Sequence, residues 1–292
     1  MLDHLNAVAA DPSRVIVMGA GGFVGGAILA RLKQSGASAV GLSRKDADLL
    51  ADDGAASLAD RLQPGDTVVF VSAIAPARNG QHLIKNLRMA EAACSAMTQK
   101  KPAHLIYISS DAVYADDANP VTESSACQPS SMHGMMHAAR EMMFKTGVAS
   151  PLAILRPTLI YGACDPHNGY GPNRFRRLAS EGKDIGLFGE GEEQRDHVFI
   201  DDVAELARLA IVHKSRGVLN VATGTSTSFR AVAKMAVGIA GSNSAINGSP
   251  RQNSVTHRHF DIAGSYKSFP ALNYVALQDG MERAAKAEAL LK

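Results

Sequence analysis

The chain has too few cysteines to be held together by disulfides. Its 292 residues contain three, Cys94, Cys127 and Cys164, an odd number spread far apart. That excludes a disulfide framework and points to a reducing, cytoplasmic setting. Nor is there an excess of either charge: 30 Lys and Arg against 28 Asp and Glu leave a net +2. A nucleic-acid or membrane-surface protein needs a concentrated basic face, so neither partner is expected here. No apolar run is long enough for a bilayer, and the stretch 68–77 falls well short. Residues 1–13 lack the basic-then-apolar order of a secretion signal. Internal repeats and coiled-coil heptads are also missing. What remains is 46% hydrophobic and 20% charged, enough apolar material for one large domain or two interlocked ones.

The most informative stretch present is Arg14-Val15-Ile16-Val17-Met18-Gly19-Ala20-Gly21-Gly22-Phe23-Val24-Gly25-Gly26-Ala27. It reads as a buried strand, a glycine turn and the first turn of a helix, which together make a phosphate cradle. Gly19 permits the sharp turn, Gly22 lets backbone N–H groups approach a pyrophosphate, and Gly25 allows close helix–strand packing. The helix N-terminus adds partial positive charge. The spacing is GxxGxxG rather than GxGxxG. Its place directly after a strand favours nucleotide binding over simple chain reversal.

Beyond this motif the first half alternates. Strands are predicted over 15–18, 39–42, 67–71, 104–109 and 152–156, and helices over 25–35, 55–62, 82–97 and 131–146. Alternation of this kind means βαβ units and a doubly wound parallel sheet, an α/β fold. The second half is less regular. Residues 162–172 read as a loop over the site, 174–181, 200–213 and 281–292 as helices, and 241–252 as a flexible connection.

Five motifs in one order resemble the extended short-chain dehydrogenase/reductases of the nucleotide-sugar epimerase/dehydratase type, over about residues 14–282. Besides the glycines these are Leu105-Ile106-Tyr107-Ile108-Ser109-Ser110-Asp111-Ala112-Val113-Tyr114, Leu155-Arg156-Pro157-Thr158-Leu159-Ile160-Tyr161-Gly162, Phe188-Gly189-Glu190-Gly191 with 194–204, and Leu219-Asn220-Val221-Ala222-Thr223-Gly224. The resemblance implies a Rossmann domain over 1–162 and a smaller interleaved substrate lobe over 163–292, with 197–214 returning to the first domain. It implies a hairpin across 188–199 beside the substrate. It implies cofactor contacts from Gly19, Gly22, Phe23, Val24, Gly25, Ser43, Arg44, Asp48, Leu49, Ser72, Ala73, Asn86 and Pro157. It also implies a small-molecule nucleotide-sugar partner, and it allows a homodimer.

The second strand ends Gly41-Leu42-Ser43-Arg44-Lys45. An acidic residue there would hold the adenosine ribose of NAD. Ser43 stands in its place and Arg44 can pair with a phosphate, which favours NADP over NAD. A solvated basic turn is the plain alternative.

The catalytic centre departs from the family. Its YxxxK pair falls on His133 and His137, within Ser131-Met132-His133-Gly134-Met135-Met136-His137. Four residues apart on a helix, the two rings share one face. Histidine titrates near neutrality, so His133 can transfer a proton without the lysine that lowers a tyrosine pKa. Three readings compete: His133 as replacement acid/base, Asp111 beside Ser110 in that role, or a site that binds without turnover. Two histidines lack a third ligand in sequence, so no metal is expected. Ala112 stands where dehydratases carry a glutamate, which disfavours dehydration.

Arg195 matches the family arginine that meets the diphosphate, a structural ion pair with Asp196 being the alternative, and Asn173 and Arg258 are weaker candidates for substrate contact. The expected function is an NAD(P)-dependent epimerase or ketoreductase acting on a nucleotide sugar. The contrasting expectation is a catalytically silent dinucleotide-binding sensor or scaffold.

Overall fold

The computed structural model describes residues 2–116, 118–251 and 254–290. Its frame is a seven-stranded sheet built from the apolar runs of the sequence. An edge strand β1 (Leu2–His4) is followed by β2 (Val15–Met18), α1 (Phe23–Gln34), β3 (Ala39–Leu42), α2 (Gly54–Arg61), β4 (Thr67–Phe70), α3 (Gly80–Lys100) and β5 (His104–Ile108). A short 3₁₀ turn, Asp111–Val113, leads towards α4 (Met132–Gly147), β6 (Leu152–Pro157) and β7 (Leu159–Tyr161). Strands β2, β4 and β5 are buried along their whole length, the pattern of a parallel sheet covered on both faces.

The remainder runs α5 (Pro172–Ser180), β8 (Ile185–Phe188), β9 (Gln194–Phe199), α6 (Ile200–Val212), β10 (Ser215–Val221), β11 (Ser226–Ser228), α7 (Phe229–Ala240), β12 (Ile246–Ser249), α8 (Ala263–Ser268) and α9 (Leu277–Ala289). The main sheet has the order β1-β10-β6-β5-β4-β2-β3. All its pairings are parallel except β1 with β10. The chain steps outward from β2 to β3, then back across to β4. That reversal leaves a crevice at the C-terminal ends of the strands, where open α/β sheets bind ligands.

Helices α1 and α6 cover one face with Ile28, Leu32, Val203, Leu206 and Ala210, and α3 and α4 cover the other with Ala90, Ala93, Met97 and Phe144. The smaller lobe has its own core around Phe175, Leu187, Phe229 and Val232. Helix α6 and strand β10 leave that lobe to pack with the main sheet.

Two local expectations fail. Residues 188–199 form no hairpin, because β8 pairs in parallel with β12 while β9 lies between β7 and β11. Strand β12 also lies inside the stretch read as a flexible connection, and Gln252 of that stretch falls outside the described residues. Polar residues satisfied by a ladder on an exposed edge carry no apolar signal. The predicted C-terminal helix starts earlier, at Leu277, and its last two positions lie outside the described residues. The three cysteines are free. Among the described residues no helix is long and apolar enough to cross a membrane.

Candidate functional site

The glycine turn between β2 and α1 is shaped by close approach. Gly19 has φ +89° and its backbone abuts Ser72, where a Cβ would come within 2.8 Å of Ser72 N. A Cβ at Gly25 would sit 2.2 Å from the Gly19 carbonyl oxygen. No side chain caps α1 at Gly22, and its first turn holds no acidic residue. The orphan N–H groups of that turn are therefore free for an anion. They open into a cleft of about 800 Å³ that runs along the ends of β2, β4, β5 and β6. This cradle fits a dinucleotide pyrophosphate.

Of the cofactor contacts read from sequence, Gly19, Gly22, Phe23, Val24, Gly25, Ser43, Arg44, Asp48, Leu49, Ser72, Ala73 and Pro157 line this cleft. Asn86 does not. It is fully buried, accepts the Ile74 N–H at 3.0 Å and donates to the carbonyls of Ile74 and His82. Its place is behind the 72–77 loop, holding that wall in shape.

At the end of the cleft beside β3, Ser43 donates its N–H and Oγ–H to Asp46 Oδ2, at 2.7 and 2.8 Å. Arg44 is 80% exposed and pairs with Asp48 at 3.0 Å, while Asp48 also accepts the Leu50 N–H. Those contacts hold Asp48 below the usual carboxylate range. This exposed pair sits in a turn and is worth little, so a phosphate can displace it.

At the far end, β5 delivers Ser110, which caps the 3₁₀ turn by accepting the Ala112 N–H at 3.1 Å. Asp111 follows, 3.4 Å from Ser110 Oγ and 3.4 Å from Arg258. Burial pushes the Asp111 carboxyl up, and Arg258 and Arg195 pull against that shift.

Across from them stands the start of α4, capped by Ser131. His133 and His137 lie edge to face, with ring centroids 4.7 Å apart, and both line the cleft. His133 Nδ1 accepts the Ala77 N–H at 3.5 Å. Burial, then His167 and Arg140, lowers the His133 pKa, and His137 is driven well down by burial, His133 and Arg140. Both rings are thus neutral at pH 7. The helix approaches so closely that a Cβ on Gly134 would lie 1.9 Å from the Ala112 carbonyl oxygen.

Behind this wall α4 carries a buried polar ladder. Tyr107 Oη meets His137 Nδ1 at 2.7 Å. Glu141 accepts from Ser109 Oγ at 2.6 Å and takes a two-pronged bond from Arg156 at 2.6 and 2.8 Å. Arg156 also donates to Tyr114 Oη and lies over that ring.

The predicted substrate contacts separate. Asn173 lines the cleft but is occupied, accepting the Gly162 N–H and donating to Asp165. Arg195 and Arg258 are not among the residues that line the cleft, although Asp111, which Arg258 meets, is. Arg195 pairs with Glu193 and bonds Thr256, whereas Arg258 spans Asp111, Asp116 and the Ala115 carbonyl. Both are engaged by carboxylates that a ligand anion would have to replace.

The family model for the NAD dependent epimerase/dehydratase family matches residues 15–222. The chain belongs to this family. Among its relatives is a dTDP-L-rhamnose 4-epimerase of Burkholderia thailandensis, 31% identical over 147 residues, 47% of this chain and 40% of that one. A UDP-glucose 4-epimerase of Mycolicibacterium smegmatis is 27% identical over 252 residues, 74% and 79% of the two chains. The fold is shared with the UDP-glucose 4-epimerase of Thermotoga maritima solved with UDP-glucose: TM-score 0.86, 20% identity, covering 96% of this chain and 100% of that one. A Thermus thermophilus UDP-glucose 4-epimerase complexed with NAD gives 0.82 at 20% identity, covering 94% and 99%.

Asp165 and His167, on the loop read as lying over the site but not among the predicted site residues, also line this cleft. Asp165 is buried and bonds the His167 N–H and Asn173, fixing the loop over the site. The Asp-Pro-His-Asn order, with its turn-forming Asp, was the available signal. The ladder of Tyr107, Glu141 and Arg156 left none, because its members come from three separate elements, β5, α4 and β6.

Proposed function

We propose that the protein is an NAD(P)-dependent epimerase or ketoreductase acting on a nucleotide sugar. The observation that carries this is the placement of Ser110, Asp111 and His133 on one cleft with an uncapped helix N-terminus at its other end. The bound nicotinamide supplies hydride chemistry. The chain's residues do the rest. The α1 N-terminus and Gly22 hold the pyrophosphate, and Ser110 Oγ hydrogen-bonds the reacting oxygen. His133 carries the proton, accepting it as a neutral ring in oxidation and returning it as imidazolium in reduction. Asp111, next to Ser110, is the second group able to take that role. Arg44 favours NADP by pairing with a 2′-phosphate once released from Asp48. Arg195 and Arg258 meet the substrate diphosphate after exchanging Glu193, Asp111 and Asp116 for it.

The test is to supply NAD with UDP- and dTDP-hexoses, and NADPH with 4-keto nucleotide sugars, and follow epimer formation or NADPH loss. Turnover with at least one supports the reading. Tight cofactor binding without turnover on any substrate favours the second reading, a silent dinucleotide-binding protein. The replacement of Tyr and Lys by His133 and His137 is the observation behind that second reading.

A further inference from the structure

The line of His133 and His137 along α4 continues into the protein to Arg140, which has 0% exposure. Arg140 donates from Nε to the Asn86 carbonyl at 2.9 Å and from Nη1 to the Ser72 carbonyl at 2.8 Å. Among the described residues its Nη2 has no hydrogen-bond partner and no carboxylate forms an ion pair with it. Its guanidinium stacks over Phe70. Tyr107 reaches across from β5 to His137 Nδ1 at 2.7 Å.

These contacts assign the hydrogen. Tyr107 is fully buried, and among the described residues its hydroxyl has no acceptor besides His137 Nδ1, so its one hydrogen has nowhere else to go. Tyr107 therefore donates to His137 Nδ1, and the neutral ring carries its own proton on Nε2. Among the described residues His137 Nε2 makes no hydrogen bond, and the residue lines the cleft. The groups facing this ring are Tyr107 from β5 and His133 and Arg140 from its own helix, so no carboxylate favours its charged form.

We propose that Tyr107 is a positioning residue that locks His137 as the Nε2–H tautomer, a neutral donor offered to an oxygen of the bound dinucleotide. The proposal rests on the dinucleotide reading only for the identity of the ligand. The direction of this neutral donor is thus set from behind, as an outer partner sets the tautomer of a metal-ligating histidine.

The experiment is long-range proton–nitrogen NMR on the full chain labelled with ¹⁵N-histidine, without ligand, from pH 5.5 to 8. The His137 signals are assigned by their loss in His137→Gln. The expected result is a His137 that stays neutral with its proton on Nε2 throughout. In Tyr107→Phe the ring should shift to the Nδ1–H form or a mixture, and calorimetric NADP affinity should fall about tenfold, the worth of one hydrogen bond. A His137 that titrates in this range, or carries its proton on Nδ1 in the wild type, overturns the proposal. So does a Tyr107→Phe variant with unchanged tautomer or unchanged affinity. If Tyr107→Phe does not fold, the wild-type tautomer decides alone. An Nε2–H tautomer lost in Tyr107→Phe, in a protein that binds neither NAD nor NADP, supports the positioning role and overturns the dinucleotide reading.

Discussion

Gly134→Ala should separate catalysis from nucleotide binding. The added Cβ would lie 1.9 Å from the Ala112 carbonyl oxygen and 2.7 Å from Pro129 Cβ, where real contacts do not fall below 3.0 Å. Helix α4 and the 3₁₀ turn must therefore part by at least about 1 Å, since neither neighbour is a flexible side-chain tip. The backbone that moves carries Ser110 and Asp111 on one side and His133 and His137 on the other. Overpacking of this kind costs about 1–3 kcal/mol, tolerable for a domain of this size. Misplacing reacting groups by about 1 Å costs on the order of 100-fold in rate. The glycine turn at Gly19 to Gly25 lies at the other end of the cleft. Gly134→Ala should then fold with a modestly lowered Tm, bind AMP or ADP-ribose as the wild type does, and lose about 100-fold in turnover. Calorimetry, AMP titration and steady-state kinetics read these three separately. Unchanged turnover would refute the reasoning, because the two walls would then not be set by this contact.

Arg44→Ala should weaken NADP binding about tenfold and leave NAD nearly unchanged, since only the 2′-phosphate needs the guanidinium; equal losses for both by calorimetry would remove the phosphate argument. Glu141→Gln leaves the Arg156 charge uncompensated in a site where both side chains are 3% exposed, so urea denaturation should register a loss of about 3–5 kcal/mol. A loss under about 1 kcal/mol would contradict the buried pair. Burial lowers His104 to about 4 and His197 to about 3, whereas it pushes Asp202 up to about 6. The unfolded chain protonates both histidines near pH 6.5, so their contribution is lost as pH falls from 6.5, about 2 kcal/mol each by pH 5. Asp202 has the opposite sign and returns about 1 kcal/mol over the same range. Stability should therefore be lower at pH 5 than at pH 7.5 by roughly 2–3 kcal/mol, and a urea midpoint that rises on acidification would contradict the assignment.

The sheet was legible because β2, β4 and β5 are buried on both faces, and continuous apolar runs are what such strands need. The glycine turn was legible because a strand, glycines and a helix start are adjacent in sequence. β12 was not, since Ile246-Asn247-Gly248-Ser249 is a mostly exposed strand whose ladder is formed with distant residues. The candidate site divides the same way. The cleft positions of His133 and His137 follow from helical spacing, whereas the occupied states of Arg195 and Arg258 depend on Glu193, Thr256, Asp111 and Asp116. Asn86 was read as a cofactor contact, yet its amide closes on the backbone at residue 74, which spacing along α3 does not reveal.

The most direct test of the account compares wild type and His133→Phe for NADPH-dependent reduction of a 4-keto nucleotide sugar, with cofactor affinity measured on the same samples. The His133 pKa is lowered by burial, so the reductive rate, which needs the imidazolium, should climb as pH falls from 7.5. The account predicts that His133→Phe keeps cofactor affinity within about threefold while losing at least about 100-fold in turnover and the pH dependence with it. Near-normal turnover in His133→Phe would contradict the account and pass the proton to Asp111.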